Sequence, residues 1–303
     1  MFDLIVIGGG PAGMTAVVYA ARKKLNTLLV TQDLGGQVLW TRDIQNYMGY
    51  QFVTGPELMA KFEEQVKLFP VTLKYEDVSG LEKDPDGCFS VRTAADSVYR
   101  GKAVIIASGK RPRRLDVPGE MELTGMGVSY CATCDGPLFA GMSVAVVGSG
   151  NSALQAAVEL ADVAKQVYLV ARDPYVADPI IVDMIGKYAN IEELKGYESK
   201  SIVGKYAVEK YVIHASGIPA QTRELSVQGV FVEVGLIPNS EFAGLAALNE
   251  AGEIIVDCRS QTSVEGLFAA GDVTNGVDKQ IVIAAGDGSK AALAAYEYLL
   301  HRR

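Results

Sequence analysis

Apolar residues fall along the chain in two alternating kinds of run. Phe2–Ile7 is short and almost continuously apolar, as in a strand buried on both faces, and it gives way to a glycine-rich stretch at 8–13. Residues 14–24 then carry the apolar spacing and alanine content of a helix. The same order recurs: Ser143–Val147 is apolar, 148–153 reads GSGNSA, and 154–163 is again helical in pattern. Strands that alternate with helices are joined by right-handed crossovers, so each unit is expected to be a parallel, doubly wound sheet. Farther on, 267–270 reads as a short strand ending in Gly271-Asp272. Lys279-Gln280-Ile281 then opens an alanine-rich helix over 282–300.

Two stretches interrupt this order, KRPRRLDVPG at 110–119 and GLIPN at 235–239. Read as linkers, they divide the chain into 1–111, 112–238 and 239–303, the middle domain being inserted into a first one made of both chain ends. Within the insert, 195–223 alternates weakly and holds several Gly and Ser, which predicts hairpins of unfixed register. The predicted class is α/β, with two doubly wound dinucleotide-binding domains, the second inserted into the first.

Composition narrows the partners. A chain of 303 residues, 49% of them hydrophobic, needs no disulfide or metal staple, because at this length roughly three quarters of the unfolded surface is buried. The 36 acidic residues exceed the 28 basic ones for a formal net charge of -8, which gives no global attraction for nucleic acid or anionic lipid. No apolar run reaches the roughly 18 to 20 residues of a membrane helix, and no basic flank or cleavage site precedes the first strand. A cytoplasmic protein is expected, with neither nucleic acid nor membrane as partner. Of the four cysteines, Cys88, Cys131, Cys134 and Cys258, two stand at CxxC spacing, which in a reducing compartment points to redox or metal chemistry. A zinc site would have to draw its other ligands from Cys88, Cys258, His214 and His301, none of which pair at metal-site spacing, so no metal is assigned.

Gly8-x-Gly10-x-x-Gly13 lets the chain turn sharply, lets backbone approach a pyrophosphate and lets the helix pack on its strand, its N-terminal amides facing the phosphates. The second copy, Gly148-x-Gly150-x-x-Ala153, has the alanine that the fingerprint allows. About 20 positions beyond it, an acidic residue would bind the ribose 2′-hydroxyl of NAD, or an arginine the 2′-phosphate of NADP. Arg172 and Asp173 stand there, and they point opposite ways. Cys131-Ala132-Thr133-Cys134 can close a small disulfide ring, and a helix beginning there would stabilise a thiolate. Asp135 would move protons for a departing thiolate if apolar surroundings raised its pKa, or else would only cap a helix start. Asp272 suits a ribityl hydroxyl of a flavin; the last helix reads, taken alone, as a packing element in preference to one whose first amides face an anionic ring edge.

Taken in order, residues 8–13, Gly35-Gly36-Gln37, CATCDG at 131–136, GSGNSA at 148–153 and FAAGDV at 268–273 resemble the low-molecular-weight thioredoxin reductases over essentially the whole chain. VPGE at 117–120, CDGPLF at 134–139 and KQIVIAAGDGSKAAL at 279–293 look closer to the reductase part of the flavoprotein subunit of alkyl hydroperoxide reductase. That subunit carries a further dithiol domain at its N-terminus. With the flavin motif opening at residue 8, such a domain is expected to be absent here and electrons to leave to a separate protein.

The resemblance implies non-covalent FAD held by Gly8, Gly10, Pro11, Ala12, Gly13, Thr31, Gln32, Gly35, Gly36, Gln37, Asn46, Val78, Gly271, Asp272, Lys279, Gln280 and Ile281. It implies NADPH or NADH as hydride donor, held by Gly148, Gly150, Asn151, Ser152, Ala153, Arg172 and Asp173. Hydride would pass to the flavin, two electrons to the Cys131–Cys134 disulfide, and then on to a thioredoxin-like disulfide protein. Cys134 would face the flavin, Cys131 attack the partner and Asp135 donate the proton. One dithiol cannot touch flavin and partner together, so in this family the two domains rotate, and the two linkers would be the hinges. Members are homodimers.

The chain departs from the family at the donor selector. NADPH-using members have a His-Arg-Arg run with another arginine shortly after, whereas here 171–177 reads ARDPYVA, leaving NADH, or a ferredoxin-like donor, as an alternative. A dithiol oxidase of the same fold and a non-enzymatic redox sensor are further readings. Ferredoxin-NADP reductases of similar fold lack the dithiol. Lys110, Arg111, Arg113 and Arg114 read as a solvated linker in preference to a phosphate contact. Cys88, in a turn, and Cys258, in a predicted strand, read as structural, Trp40 as core, and His214 and His301 as without a role.

Overall fold

A computed structural model describes residues 1–41 and 44–302. The chain falls into two compact units: Pro112–Leu236 with a short stretch ending at Asn46 makes one, and Tyr47–Arg111 with both chain ends makes the other.

The first unit opens with β1 (Phe2–Ile7), α1 (Pro11–Arg22) and β2 (Thr27–Thr31), followed by α2 (Gly55–Lys67), β3 (Thr72–Tyr75), β4 (Val78–Lys83), β5 (Phe89–Thr93) and β6 (Val98–Ile106). β1 lies between β2 and β6, parallel to both, and its residues Leu4, Ile5 and Val6 are wholly buried, which is why the run is continuously apolar rather than alternating. α1 starts at Pro11, ahead of the 14–24 that apolar spacing predicts, because proline at the first helical position is already set for the helix. α2 is started by a capping box: Thr54 takes the Glu57 N–H on its hydroxyl, and Glu57 takes the Thr54 N–H.

This sheet is mixed, where the alternation predicts a wholly parallel one. β4 pairs with β5, and β5 with β6, antiparallel. The cause lies in two tight turns, one closed by Gly87 at φ +79 and one by Asp96 at φ +60.

Past β7 (Lys110–Pro112), the second unit contains β8 (Val128–Ser129), α3 (Ala132–Asp135), β9 (Ser143–Val147), α4 (Asn151–Ala161), β10 (Gln166–Ala171), α5 (Pro179–Ile185) and β11 (Ile191–Lys195). The hairpins expected over 195–223 are the antiparallel sheet β12 (Tyr197–Val203), β13 (Lys210–Ala215) and β14 (Ile218–Ser226). β15 (Gly229–Val232) then completes a parallel sheet of order β11-β10-β9-β15-β8. Ala153, Leu154, Ala157 and Leu160 of α4 pack on Val144, Val146 and Phe231 of that sheet. Each large aliphatic side chain buried this way contributes about 1.5–3 kcal/mol.

On the way out, β16 (Leu236–Pro238) pairs with β7, so the two connecting segments run together. The first unit resumes with β17 (Leu267–Ala269), parallel to β6, and α6 (Ile281–Leu300). α6 crosses α1 so closely that a Cβ on Gly288 would overlap the Ala12 carbonyl oxygen. Cys258, expected in a strand, is exposed in a turn where the Asp257 carboxylate accepts the N–H of Arg259 and of Gln261. Cys88 is buried. Trp40, read as core, is 45% exposed. No helix among the described residues is long and apolar enough to cross a membrane.

Candidate functional site

β1 delivers the chain into the first glycine turn. A Cβ on Gly8, which sits at φ +106, would overlap the Ala107 carbonyl oxygen, and one on Gly13 would overlap that of Gly8, so neither position admits a side chain. Gly10 caps α1, and a Cβ there would meet nothing within 4 Å. No side chain caps Pro11, Ala12 or Gly13 and no acid lies in this first turn, so the helix presents its positive end to an anion. Gly36 lies alongside, with its ideal Cβ position 3.9 Å from Gly10 Cα.

The turn after β2 is tied to the same place. Gly35 donates to the Gly9 carbonyl at 2.9 Å, the Thr31 hydroxyl to the Asp33 carbonyl at 2.6 Å, and Gln37 Nε2 to the Lys110 carbonyl at 2.6 Å. Gln32 is exposed beside them. Val78 opens β4 two residues after Glu76, whose N–H bonds the Thr31 carbonyl at 2.9 Å. Asn46 is grouped with the second unit.

The C-terminal motif reaches α1 through Gly271, whose ideal Cβ position is 2.9 Å from the Ala12 Cβ. Burial raises the carboxyl of neighbouring Asp272, and the Lys279 and Lys110 charges pull it back. Lys279 Nζ donates to the Thr274 carbonyl at 2.6 Å and stands 3.3 Å from Glu253. Lys110 pairs with Glu253 at 2.5 Å, its side chain only 9% exposed, so it is a buried ion-pair member and not part of a solvated linker. Gln280 caps α6, which begins at Ile281 with no acid in its first turn. Two helix starts open to an anion, a glycine with space for a ligand and a partly buried carboxylate fit a dinucleotide with its diphosphate and hydroxyls.

In the second unit, Gly148 follows β9 at φ +148, and a Cβ there would collide with the Glu233 carbonyl. Gly150 caps α4, again without a side-chain cap or an acid in the first turn, and Ala153 is fully buried. Asn151 and Ser152 are exposed at the helix start. Asn151 Nδ2 donates to Asp178 at 3.0 Å, and the Asp178 N–H returns a bond of 2.7 Å to Asn151 Oδ1. Arg172 and Asp173, at the end of β10, pair with each other at 2.9 Å. The Arg172 guanidinium is therefore already engaged by a carboxylate.

Cys131 and Cys134 form a disulfide with Cα atoms 5.3 Å apart. Cys131 is the N-cap of α3, and its sulfur accepts the Cys134 N–H at 3.2 Å, so a thiolate formed there would be met by a backbone donor. Asp135 lies at the far end of this short helix, not at its cap, and accepts the Ser129 hydroxyl at 2.6 Å. Ser129 Oγ also accepts the Cys131 N–H at 3.1 Å. Behind the helix, the Thr133 hydroxyl donates to Glu159 at 3.1 Å. Burial pushes the Glu233 carboxyl, just past β15, up to about 7 against the pull of the Ala132 backbone. Ser129, Glu159, Glu233 and Asp178 carry no motif. Their roles follow from tertiary placement, which single-sequence spacing does not encode. Among the described residues no cluster of His, Cys, Asp or Glu is arranged to hold a metal.

A family model described as pyridine nucleotide-disulphide oxidoreductase matches residues 2–288. The chain belongs to that family. Members are FAD-dependent and use a pyridine nucleotide donor. The chain is 40% identical, over 99% of its length, to the F subunit of alkyl hydroperoxide reductase from Pseudomonas putida, of which it covers 58%. To an NADH dehydrogenase of Bacillus subtilis (strain 168) it is also 40% identical over 99% of its length, covering 59%. It thus spans less than two thirds of these relatives. The solved thioredoxin reductase from Streptococcus pyogenes MGAS5005 superposes with a TM-score of 0.94 at 39% identity, with 99% of both chains covered. The family resemblance read from the motifs is that of the low-molecular-weight thioredoxin reductases, and the α/β fold is theirs, with Rossmann-type dinucleotide-binding domains.

Proposed function

We propose that this protein is a cytoplasmic, homodimeric flavin-dependent disulfide reductase that draws electrons from NADH in preference to NADPH and delivers them to a thioredoxin-like protein. The observation that carries the reading is the Cys131–Cys134 disulfide at the head of a short helix, with Asp135 bonded to Ser129 beside it. The uncapped start of α1, with Gly8, Gly10, Gly13 and Asp272, would hold FAD; the start of α4, with Gly148, Gly150 and Asn151, would hold the nicotinamide cofactor. Bound FAD would supply the two-electron relay from a nicotinamide to the disulfide.

The chain's own residues do the thiol chemistry. Once the disulfide is reduced, the Cys131 thiolate attacks one sulfur of the partner disulfide, and the displaced partner sulfur takes up a proton. Cys134 then attacks Cys131 Sγ in the mixed disulfide, restoring the internal disulfide and releasing the partner's second sulfur, which is also protonated. Asp135, which accepts the Ser129 hydroxyl, would pass those protons. NADH preference is supported by the Arg172–Asp173 pair: the carboxylate both occupies the arginine and repels a 2′-phosphate, while accepting a 2′-hydroxyl.

Anaerobic titration of the yellow holoprotein with NADH and separately with NADPH, followed by turnover with a thioredoxin-like disulfide protein, tests both halves. Rapid bleaching by NADH and multiple turnovers are expected. Bleaching by NADPH alone would overturn the donor assignment, and no turnover with any disulfide protein would overturn the activity.

A further inference from the structure

The residues on either side of Cys131 are held on opposite faces of the second unit's parallel sheet. Ala132 is buried in the cluster that contains Val144, Val146 and Phe231. Tyr130 packs against the cluster that contains Ala145, Val147 and Val230. Those β9 and β15 residues alternate along their strands, so the two clusters lie on the two sides of the sheet and the chain crosses from one to the other at Cys131. The Tyr130 side chain ends on a polar anchor: its hydroxyl donates to Glu120 Oε1 at 3.0 Å. Glu120 is only 1% exposed, and its carboxylate also accepts the Leu115 N–H on Oε1 at 3.0 Å and the Asp116 N–H on Oε2 at 2.8 Å. Asp116 sits at φ +55, a conformation that residues other than glycine seldom take, and the Thr124 hydroxyl donates to the Glu120 carbonyl at 2.8 Å. A buried carboxylate with three donors, set in a loop bent around it, is a fixed point in the fold.

We infer that Tyr130 is a positioning residue for the dithiol, with Glu120 as its anchor: their bond fixes the backbone leading into Cys131 and keeps its sulfur within reach of Cys134 when the disulfide is open. Three restraints then converge on Cys131. Tyr130 holds the residue before it, Ala132 the residue after it, and Ser129 Oγ accepts its own N–H at 3.1 Å. In that setting Cys131 is the N-cap of α3 and its sulfur accepts the Cys134 N–H at 3.2 Å, the arrangement in which the disulfide stands. Two thiols held in that geometry close their ring at a high effective concentration, and loosening one of them lowers it. The Tyr130–Glu120 bond therefore favours the disulfide over the dithiol, and it sets how strongly reducing the open pair is.

This inference rests on the dithiol being the working redox centre, and its test needs neither donor nor partner. The holoprotein is equilibrated anaerobically at neutral pH in mixtures of reduced and oxidised dithiothreitol and quenched with acid, and the Cys131 and Cys134 thiols are counted by alkylation and peptide mass. In that exchange dithiothreitol gives up two electrons and two protons and closes its own ring disulfide, while the Cys131–Cys134 bond opens to two thiols. Tyr130→Phe keeps the packed ring and loses only the bond to Glu120. It should move the equilibrium toward the dithiol about threefold to tenfold, a rise of roughly 15–30 mV in reduction potential. Glu120→Gln, which weakens the anchor, should move it the same way; should that variant fail to fold, Tyr130→Phe decides alone. An equilibrium unmoved in Tyr130→Phe overturns the inference even if its Tm falls, because the bond then supports the fold and not the dithiol. Movement of either variant toward the disulfide overturns it equally. A wild type that reduces no thioredoxin-like protein would sink the proposed activity while leaving this equilibrium to judge Tyr130.

Discussion

Ser129 Oγ stands 2.6 Å from Asp135 Oδ2 and 3.1 Å from the Cys131 backbone nitrogen, so one buried hydroxyl joins the two ends of the dithiol helix. It donates to the carboxylate and accepts from the N–H, using both of its capacities. Ser129→Ala leaves Asp135 without that donor and the Cys131 N–H without its acceptor. A hydrogen bond to a charged group is worth about 1.5–3 kcal/mol, so partner reduction should fall roughly tenfold to a hundredfold. Steady-state kcat with a thioredoxin-like substrate measures it; an unchanged kcat would remove Asp135 from the proton path.

Cys131→Ser separates the two half-reactions. Flavin bleaching by the nicotinamide donor should persist at close to the wild-type rate, because the first unit and the second glycine turn are untouched. Reduction of the partner should be abolished. Survival of partner reduction would mean that electrons leave without the dithiol.

Gly13→Ala drives a methyl group into the Gly8 carbonyl oxygen at the point where α1 meets β1. Backbone on both sides of the overlap is fixed, by β1 in the sheet and by α1 under α6. A forced overlap in a packed region costs about 1–3 kcal/mol, and the turn that would receive a pyrophosphate distorts with it. The purified variant should carry much less FAD per chain and melt earlier; full occupancy by absorbance at an unchanged Tm would contradict this.

Freeing Arg172 should change donor choice. Asp173→Asn removes the carboxylate that engages the guanidinium at 2.9 Å and would repel a 2′-phosphate. The pair is exposed, so its own strength is small, but the swing in selectivity combines a lost repulsion with a released partner. The ratio of kcat/KM for NADPH to that for NADH is expected to rise about tenfold, an effect near 1.4 kcal/mol. No change in that ratio would place selectivity elsewhere.

How much of the molecule is legible in its sequence follows the physics of each element. The two strand, glycine turn, helix units can be read because both faces of a parallel sheet are covered and the glycines answer to backbone overlap, which one residue type satisfies. The β4–β5–β6 hairpins cannot, since they rest on Gly87 and Asp96 at positive φ inside polar stretches. Lys110 misleads because a charge run in sequence looks the same whether it is solvated or, like this one, neutralised by Glu253 from far along the chain. The dithiol is evident, but Ser129 and Glu233 are not, as neither belongs to a repeated spacing.

Glu233 also predicts how stability depends on pH. Its carboxyl titrates near 7 in the folded protein and near the ordinary 4.5 when unfolded, so the folded state binds the proton more tightly. That contribution is fully present below 4.5 and is lost as pH rises through 7, amounting to about 3 kcal/mol at most. Denaturant unfolding of wild type and Glu233→Gln at pH 5 and pH 8 isolates it. The variant should gain on wild type between the two values; a constant difference would mean that Glu233 ionises normally in the fold.

The reciprocal bonds between Asn151 and Asp178, with the Val176 N–H on the Ser149 carbonyl at 2.9 Å, couple the stretch after β10 to the start of α4. Anyone wishing to recast the proposed coenzyme preference by grafting a loop from a thioredoxin reductase therefore faces a cassette with a hidden boundary. A graft of 172–177 alone would leave Asn151 bound to a residue outside the transplant, and the new arginines would inherit the old loop's path. The exchangeable module is the whole interlocked piece, Asp178 and Asn151 included, and recipients lacking that pair of side chains should accept the donor's charges without acquiring its choice.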